Sequence, residues 1–325
     1  MTLKGSPVPL PKALAGLRLP LIGAPLFIVS NPDLVIAQCR SGIVGAFPAL
    51  NAREPGELER WLEQINTALA APQPAGCAYP VAPFAVNQIV HPSNPRLAQD
   101  IETAVRYRVP IMITSLHAPK PVVDAAKTYG GLVFHDVISV RHAEKAIEAG
   151  VDGLILVTSG AGGHAGPLNP FAFIEEVRRF YSGTIILSGA MSRGHHILAA
   201  QAMGADLAYM GTRFVASAEA RAVPEYKQMV VDSGAEDIMS SASFTGVLGN
   251  YLRGSVVRAG LDPDQLAQPD KPNVDFASLQ KNAGQKAWKD IWGAGQSVAG
   301  ITAVMPAAQI VDQLEREYRE ARQRI

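Results

Sequence analysis

The chain is poor in several features that would announce a function. Cysteine occurs only at Cys39 and Cys77, with no CxxC and no Cys/His spacing of the metal-ligand type. That excludes a disulfide scaffold and a zinc module, no metal site is expected, and a reduced, cytoplasmic setting is the simplest reading. Charge is sparse and balanced: 29 Lys+Arg against 29 Asp+Glu leave no net charge. Without a positive field, nucleic-acid and acidic-membrane partners are not expected. No apolar run reaches the roughly 18 residues that would suggest a membrane span. Pro7, Pro9, Pro11 and Pro20 interrupt the N-terminal segment, so no signal peptide is read there. HExxH, GxSxG and paired-carboxylate patterns do not stand out. One near-match to GxGxxG, Gly160 to Ala165, ends in Ala and lacks an acidic ribose ligand, which argues against a dinucleotide site.

What remains is a rhythm. Short apolar runs recur at 19–25, 42–48, 84–88, 111–115, 132–137, 153–157, 184–189 and 207–213. Continuous runs of that length suit parallel strands buried on both faces. Amphipathic stretches separate them: Pro32 to Arg40 after a Ser-Asn-Pro start, Glu54 to Leu69, Pro95 to Arg106, Pro121 to Tyr129, Arg141 to Ala149, Pro170 to Phe180 and Arg193 to Met203. A closed barrel and an open doubly wound sheet both fit the alternation. Eight such units in 325 residues favour an α/β fold of the (β/α)8 TIM-barrel kind, which takes roughly 250 residues. Two units, EAGVDGLIL at 148–156 and AMGADLAYM at 202–210, share helix end, Gly, small residue, Asp, strand; they read as loop punctuation.

After Phe214 the rhythm stops. The expected organisation is a barrel over 1–217, completed by a C-terminal helix within 301–325, and an appended, mostly helical lobe over 218–300 with no clear strand rhythm and loops at Pro263, Pro269 and Pro272. The terminal REYREARQR mixes both signs of charge, so it is a solvated face or an oligomer contact, and a homodimer stays open.

Five strand ends carry the chemistry. TSGAGGHAG, Thr158 to Gly166, sets His164 among glycines at the carboxyl end of a strand, where barrels place catalysis. An imidazole there suits taking a proton from carbon or hydrogen-bonding an anion. The turns Ser188-Gly189-Ala190 and Met210-Gly211-Thr212 end consecutive strands, where barrels commonly build a phosphate site from backbone N–H groups. Arg213 is either a phosphate ligand or half of a rim ion pair. GAPLF, Gly23 to Phe27, leaves backbone exposed after the first strand, and Asn87 and Gln88 in FAVNQ could meet a heterocycle edge. His135 and Asp136 are further pocket candidates. His195 and His196 stand beside the phosphate loop or simply start a helix. His91, His117 and His142 have no partner spacing and are read as structural.

GAPLF, FAVNQ, GAGGHAG, SGA and MGTRF, in that order on those strands, resemble the nitronate monooxygenase (2-nitropropane dioxygenase-like) family, as does the late segment DIWGAGQSVAGI, Asp290 to Ile301. The resemblance spans about residues 17–301. It implies a TIM barrel binding FMN. His164 would be the catalytic histidine, Asn87 would contact the flavin and Gly162 would pack near it. Gly189 and Ala190 with Met210, Gly211 and Thr212 would hold the phosphate and ribityl end, and Ala24, Pro25 and Leu26 would flank the ring. Gly163, Ser188 and His135 belong with this cofactor set. The implied reaction is oxidation of alkyl nitronates, or nitroalkanes, by O2 to carbonyl compounds and nitrite. The sequence departs from the family where nitronate-oxidising members often have Gln and Glu, here Val157 and Gly160, and where a Gly often follows Ser-Gly, here Ala190. Relatives that reduce quinones or enoyl thioesters with NAD(P)H share the barrel and the histidine. A flavin-free barrel binding a phosphorylated metabolite is the alternative of another class.

Overall fold

The computed structural model describes residues 9–266 and 290–325. Eight of its strands lie where the apolar runs predict them: β1 (Leu21–Gly23), β2 (Gly45–Pro48), β3 (Phe84–Val90), β4 (Ile111–Leu116), β5 (Leu132–Val137), β6 (Gly153–Val157), β8 (Thr184–Ser188) and β9 (Leu207–Met210). They form one parallel sheet in the order β1-β9-β8-β6-β5-β4-β3-β2. The sheet closes on itself. Gly23 N donates to the Val44 carbonyl at 2.7 Å, Val44 N donates to the Leu21 carbonyl at 3.2 Å, and Ile22 and Val44 bridge in parallel. That closure decides between barrel and open sheet in favour of the TIM barrel.

Alternation along the strands sorts side chains into two layers. Ile22, Ala46, Ala85, Ile113, Phe134, Ile155, Ile186 and Leu207, one from each strand, share a single buried cluster that fills the barrel. Their neighbours in sequence, such as Val86, Met112, Val133, Leu154 and Met210, pack outward under the helices. Burying each large side chain is worth about 1.5–3 kcal/mol, so one register slip would expose a whole layer.

The helices follow the sequence signals. Asn31 caps α1 (Pro32–Arg40), its Oδ1 accepting from Leu34 N at 3.0 Å. After α2 (Glu57–Ala70), α3 (Leu97–Arg106) and α4 (Lys120–Lys127), Ser139 caps α5 (Val140–Glu148) and Asn169 caps α6 (Pro170–Arg178). The C-terminal helix, α11 (Ala307–Arg322), lies in the outer layer. It lies on α7 (Gly194–Ala202), where Glu317 accepts from Gly194 N at 2.7 Å and pairs with Arg193 at 2.8 Å.

The expectation for 218–300 needs one correction. Following α8 (Thr212–Val215), and beside its own α9 (Pro224–Asp232) and α10 (Arg253–Arg258), this stretch contributes β10 (Ile238–Ser241) and β11 (Gly249–Leu252). With β7 (Gly163–His164), drawn from the glycine loop, they make an antiparallel sheet in the order β10-β11-β7. Strands of four and two residues carry too little periodicity to be read from sequence. Pro269 and Pro272 lie outside the described residues. Among the described residues, no helix is long and apolar enough to cross a membrane.

The repeated Gly-x-Asp units have a structural reason. Gly150 and Gly204 end helices with φ of 84° and 104°. The aspartate that follows then clamps the start of the preceding strand. Asp152 N donates to the Val133 carbonyl while Oδ2 accepts from Val133 N at 2.8 Å; Asp206 does the same with Ile185, its Oδ2 accepting at 2.7 Å and also taking Arg178. Because Asp206 holds the extra arginine, Asp206→Ala should cost more in denaturant unfolding than Asp152→Ala, each in the range of about 1–3 kcal/mol. Equal losses would show that Arg178 adds nothing to the clamp.

Candidate active site

The carboxyl ends of the barrel strands surround a cavity of about 570 Å³, within the roughly 300–1,000 Å³ of small-molecule sites. Twelve of the fourteen residues expected at a flavin site line it: Ala24, Pro25 and Leu26 after β1, Asn87 on β3, Gly162, Gly163 and His164 after β6, Ser188, Gly189 and Ala190 after β8, and Gly211 and Thr212 after β9. Two do not. Met210 turns its side chain into the helix layer and meets the site only through its backbone, its carbonyl accepting from Ala24 N at 2.9 Å. His135 also stands off the cavity wall, its Nδ1 2.8 Å from Thr114 Oγ1. Burial pulls that imidazole down to about 4, and a contact from it to a bound cofactor is not supported by its place.

One rim of the cavity is a knot of three loops. The Gly160 carbonyl accepts from Ala190 N at 3.3 Å and from Gln296 N at 3.0 Å, and Gly295 N donates to Thr212 Oγ1 at 2.9 Å. The late Asp290–Ile301 segment thus bonds directly to the Thr212 turn and is tied to the Ala190 turn through the Gly160 carbonyl. Side chains are excluded here. A Cβ on Gly162 would lie 2.7 Å from Gly295 N, and one on Gly189, where φ is 140°, would lie 2.2 Å from Thr158 Oγ1. Ala190 itself sits at φ 51°. Glycine is the usual occupant of such a position, and alanine there costs about 1–2 kcal/mol.

Beside that knot, where Leu26 and Ala24 lie against Gly211, the loop after β1 is held by a residue that the sequence reading missed. Asn51 Oδ1 accepts from Ile28 N at 2.8 Å, while Nδ2 donates to the carbonyls of Leu26 (2.9 Å) and Ser30 (2.8 Å). The clamp holds Ile28 at φ 59°, a value a β-branched residue rarely adopts. Asn51 follows β2 within an unremarkable Ala-Leu-Asn stretch, so no local pattern marks it.

The polar wall runs across β3, β4 and β5. Asn87 Nδ2 donates to Ser115 Oγ at 2.9 Å, and Ser115 Oγ donates to Asp136 Oδ2 at 2.6 Å. Asp136 Oδ1 is buried with no partner among the described residues. Burial pushes this carboxyl up to about 7, against the opposing pull of the Ser115 hydrogen bond. Ser115 is a second omission of the sequence reading. The rule that finds Asn87 at the end of β3 applies equally to the end of β4.

His164 lines the cavity from β7, paired with Gly249 of β11. Its Nε2 is 3.1 Å from Thr245 Oγ1, and desolvation pulls the half-buried imidazole down to about 4, so the ring is neutral near pH 7. Asn250 Nδ2 steadies the same loop by donating to the Ala161 carbonyl at 2.7 Å. Thr245 and Asn250 lie more than 80 residues further along, and only the β7–β11 pairing brings them here.

The remaining candidates fall to structural roles. Arg213 is buried, with Nη2 3.4 Å from Met305 Sδ and no ion pair among the described residues; burial pulls its guanidinium down to about 10. His196 Nδ1 accepts from Ser192 N at the start of α7. Gln88 is buried and does not line the cavity. His91 and His117, assigned no partner by spacing, stack with ring centroids 4.9 Å apart. His142, by contrast, reaches the cavity wall. No cluster of three or more metal-ligating side chains occurs among the described residues.

A model of the nitronate monooxygenase family matches residues 10–317. The chain belongs to the nitronate monooxygenase family. It is 29% identical to a nitronate monooxygenase of Paraburkholderia phytofirmans over 95% of this chain and 94% of that one. Among solved structures it resembles a nitroalkane oxidase from Streptomyces ansochromogenes (TM-score 0.78, 22% identity, 96% and 99% of the two chains). FabK from Thermotoga maritima is similar in fold (TM-score 0.75, 22% identity, 96% of each chain). This family of flavin-dependent oxidoreductases oxidises nitro compounds, and the chain is an enzyme of that class.

The cavity fits a flavin on its own chemistry. Two turns that exclude side chains face a cavity whose polar wall ends in an unpartnered carboxyl oxygen. The Asn51 clamp bears on one edge of that space. Asn51→Ala removes three hydrogen bonds from a strained loop and should lower unfolding stability by about 2–4 kcal/mol. A denaturant titration showing less than about 1 kcal/mol would mean that the loop holds its shape without Asn51.

Proposed function

We propose that this enzyme binds FMN and oxidises alkyl nitronates, and neutral nitroalkanes, with O2 to carbonyl compounds and nitrite. The observation that carries the reading is the imidazole of His164, kept neutral by burial, on the wall of one cavity with the Asn87–Ser115–Asp136 row and the knotted rim. In this reading Gly189, Ala190, Gly211 and Thr212 hold the phosphate. The Thr212 hydroxyl, which accepts from Gly295 N, keeps its own proton to donate. Ala24, Pro25 and Leu26 flank the ring and Asn87 meets its edge. FMN supplies the one-electron and O2 chemistry when bound.

The protein's own part is to handle the proton and the substrate's charge. The His164 imidazole takes the α-proton of a neutral nitroalkane as general base, oriented by Thr245. A nitronate has already lost that proton and needs only a hydrogen bond. Residues 218–300 form the substrate-side lobe of the proposed arrangement, with Tyr226, Val247 and Trp292 and Gly293 on the cavity wall.

His164→Asn should keep the flavin absorbance of the purified protein yet slow nitroalkane turnover by about 100- to 10,000-fold, the usual contribution of one general base. Nitronate turnover should fall much less. Equal losses on both substrates would remove His164 from proton abstraction. The pH profile gives the same answer independently. Because the His164 pKa is depressed, the ring gains a proton only as pH drops through about 4. kcat/KM for a neutral nitroalkane should therefore show no break near the ordinary histidine value of about 6.5.

A second reading has one observation in its favour: the cavity also reaches Arg53 and Arg96, which suit a phosphate-bearing co-substrate. On that reading the enzyme is an NAD(P)H-dependent reductase of quinones or enoyl thioesters. Anaerobic mixing separates the two. A nitronate should bleach the flavin absorbance and NADH or NADPH should not; rapid bleaching by a nicotinamide would reverse the assignment.

A further inference from the structure

The cavity wall carries two tyrosines, and they use their protons differently. Tyr226 gives its O–H to the Gly293 carbonyl and is held by the protein itself. Tyr209 is only 7% exposed, yet its Oη has no hydrogen-bond partner among the described residues. Unlike Asp136 Oδ1, that oxygen is not sealed off; it is open to the cavity that the residue lines. A buried phenol normally finds a partner, because an O–H left unmet is costly. Packing alone gives this position no use for a hydroxyl. Along β9, Ala208 and Met210 pack outward while Leu207 and Tyr209 turn into the barrel. There Tyr209 joins Ile22, Ile155 and Ile186 in an apolar cluster, where phenylalanine would supply the same ring.

The register of β9 sets which part of an occupant the phenol meets. Tyr209 pairs with Ser188 on β8 and with Ile22 on β1. It therefore stands one residue short of the Gly189 and Ala190 turn and two short of Gly211, with its side chain turned into the barrel. A phosphate held by those turns would sit at the rim, and the phenol would meet what hangs inward from it. We propose that Tyr209 is a cofactor-binding residue, its phenol O–H donating to an acceptor on the riboflavin part of FMN, either a ring carbonyl or nitrogen or a ribityl hydroxyl. The inference rests on the flavin reading of the cavity. Burial, with the Asp136 charge as the lesser cause, pushes the phenol well above its ordinary value of 10, so it stays protonated and able to donate.

The experiment is titration of the apoprotein with FMN and with riboflavin, followed by quenching of flavin fluorescence, in the wild type and in Tyr209→Phe. The variant keeps the ring and removes only the hydroxyl. Kd should rise by about 5- to 100-fold for both ligands, the range for a buried acceptor left unmet. Unchanged FMN affinity overturns the proposal. So does a loss that riboflavin, at concentrations where it binds the wild type, does not share, because that would put the phenol on the phosphate. Lumiflavin, the ring without its ribityl chain, separates the two acceptors: a loss that persists places the bond on the ring, and one that vanishes places it on the chain, either of which supports the assignment. Denaturant unfolding of the two apoproteins is the control. Since the hydroxyl bonds nothing in the protein, the variant should unfold at the same denaturant concentration or a higher one. A variant destabilised without FMN marks the hydroxyl as structural and overturns the proposal. Wild-type protein that binds no FMN overturns the cofactor reading and this inference with it.

Discussion

The arrangement of this site turns on one carbonyl oxygen. Gly160 O receives hydrogen bonds from Ala190 N and Gln296 N, and so ties together the turn after β8, the loop after β6 and a segment more than 130 residues downstream. Apart from the short 3-10 helix Gln296–Gly300, none of the three is regular structure at this point. Joined, they fix the rim where side chains are excluded at Gly162 and Gly189. The loop that bears His164 is pinned at its other end by pairing with β11. The barrel supplies the rigid base, but the geometry that chemistry needs is set by these irregular contacts.

Much of the backbone strain lies at the same cavity: of the four non-glycine residues with positive φ among the described residues, Ile28, Leu116 and Ala190 line it and Arg108 does not. Strain of this kind persists only where surrounding bonds over-determine the backbone. Asn51 does so for Ile28 with three hydrogen bonds, and the Gly160 carbonyl does so for Ala190.

The barrel was legible because its signals are local. Eight apolar runs, the Asn31, Ser139 and Asn169 caps and the Gly-x-Asp units each act within a few residues, and the structure places them as expected. Most of the cavity wall was legible for a related reason: in a barrel the carboxyl ends of strands converge, so a strand end suffices to place Asn87, Ser188 or Gly211. Three things were not legible. Facing is one, since Asp136 turns into the barrel and His135 away from it, and a strand-end rule does not distinguish neighbours. Long-range pairing is another, because nothing near Thr245 or Asn250 points to a loop 80 residues earlier. The third is β10 and β11, too short for their period to show.

His164 and Asp136 show one cause acting on two chemistries. Desolvation disfavours whichever form is charged, so it lowers the imidazole to about 4 and raises the carboxyl to about 7. Between those values both groups are neutral. A cavity in that state presents a base that needs no prior deprotonation and a carboxyl that does not repel an anion. A nitronate carries a negative charge, and an ionised Asp136 in the same low-dielectric space would oppose its entry by several kcal/mol at close range on the order-of-magnitude scale for buried charges. On the proposed reading, the burial that would make His164 a ready base therefore also makes the site tolerant of the anion.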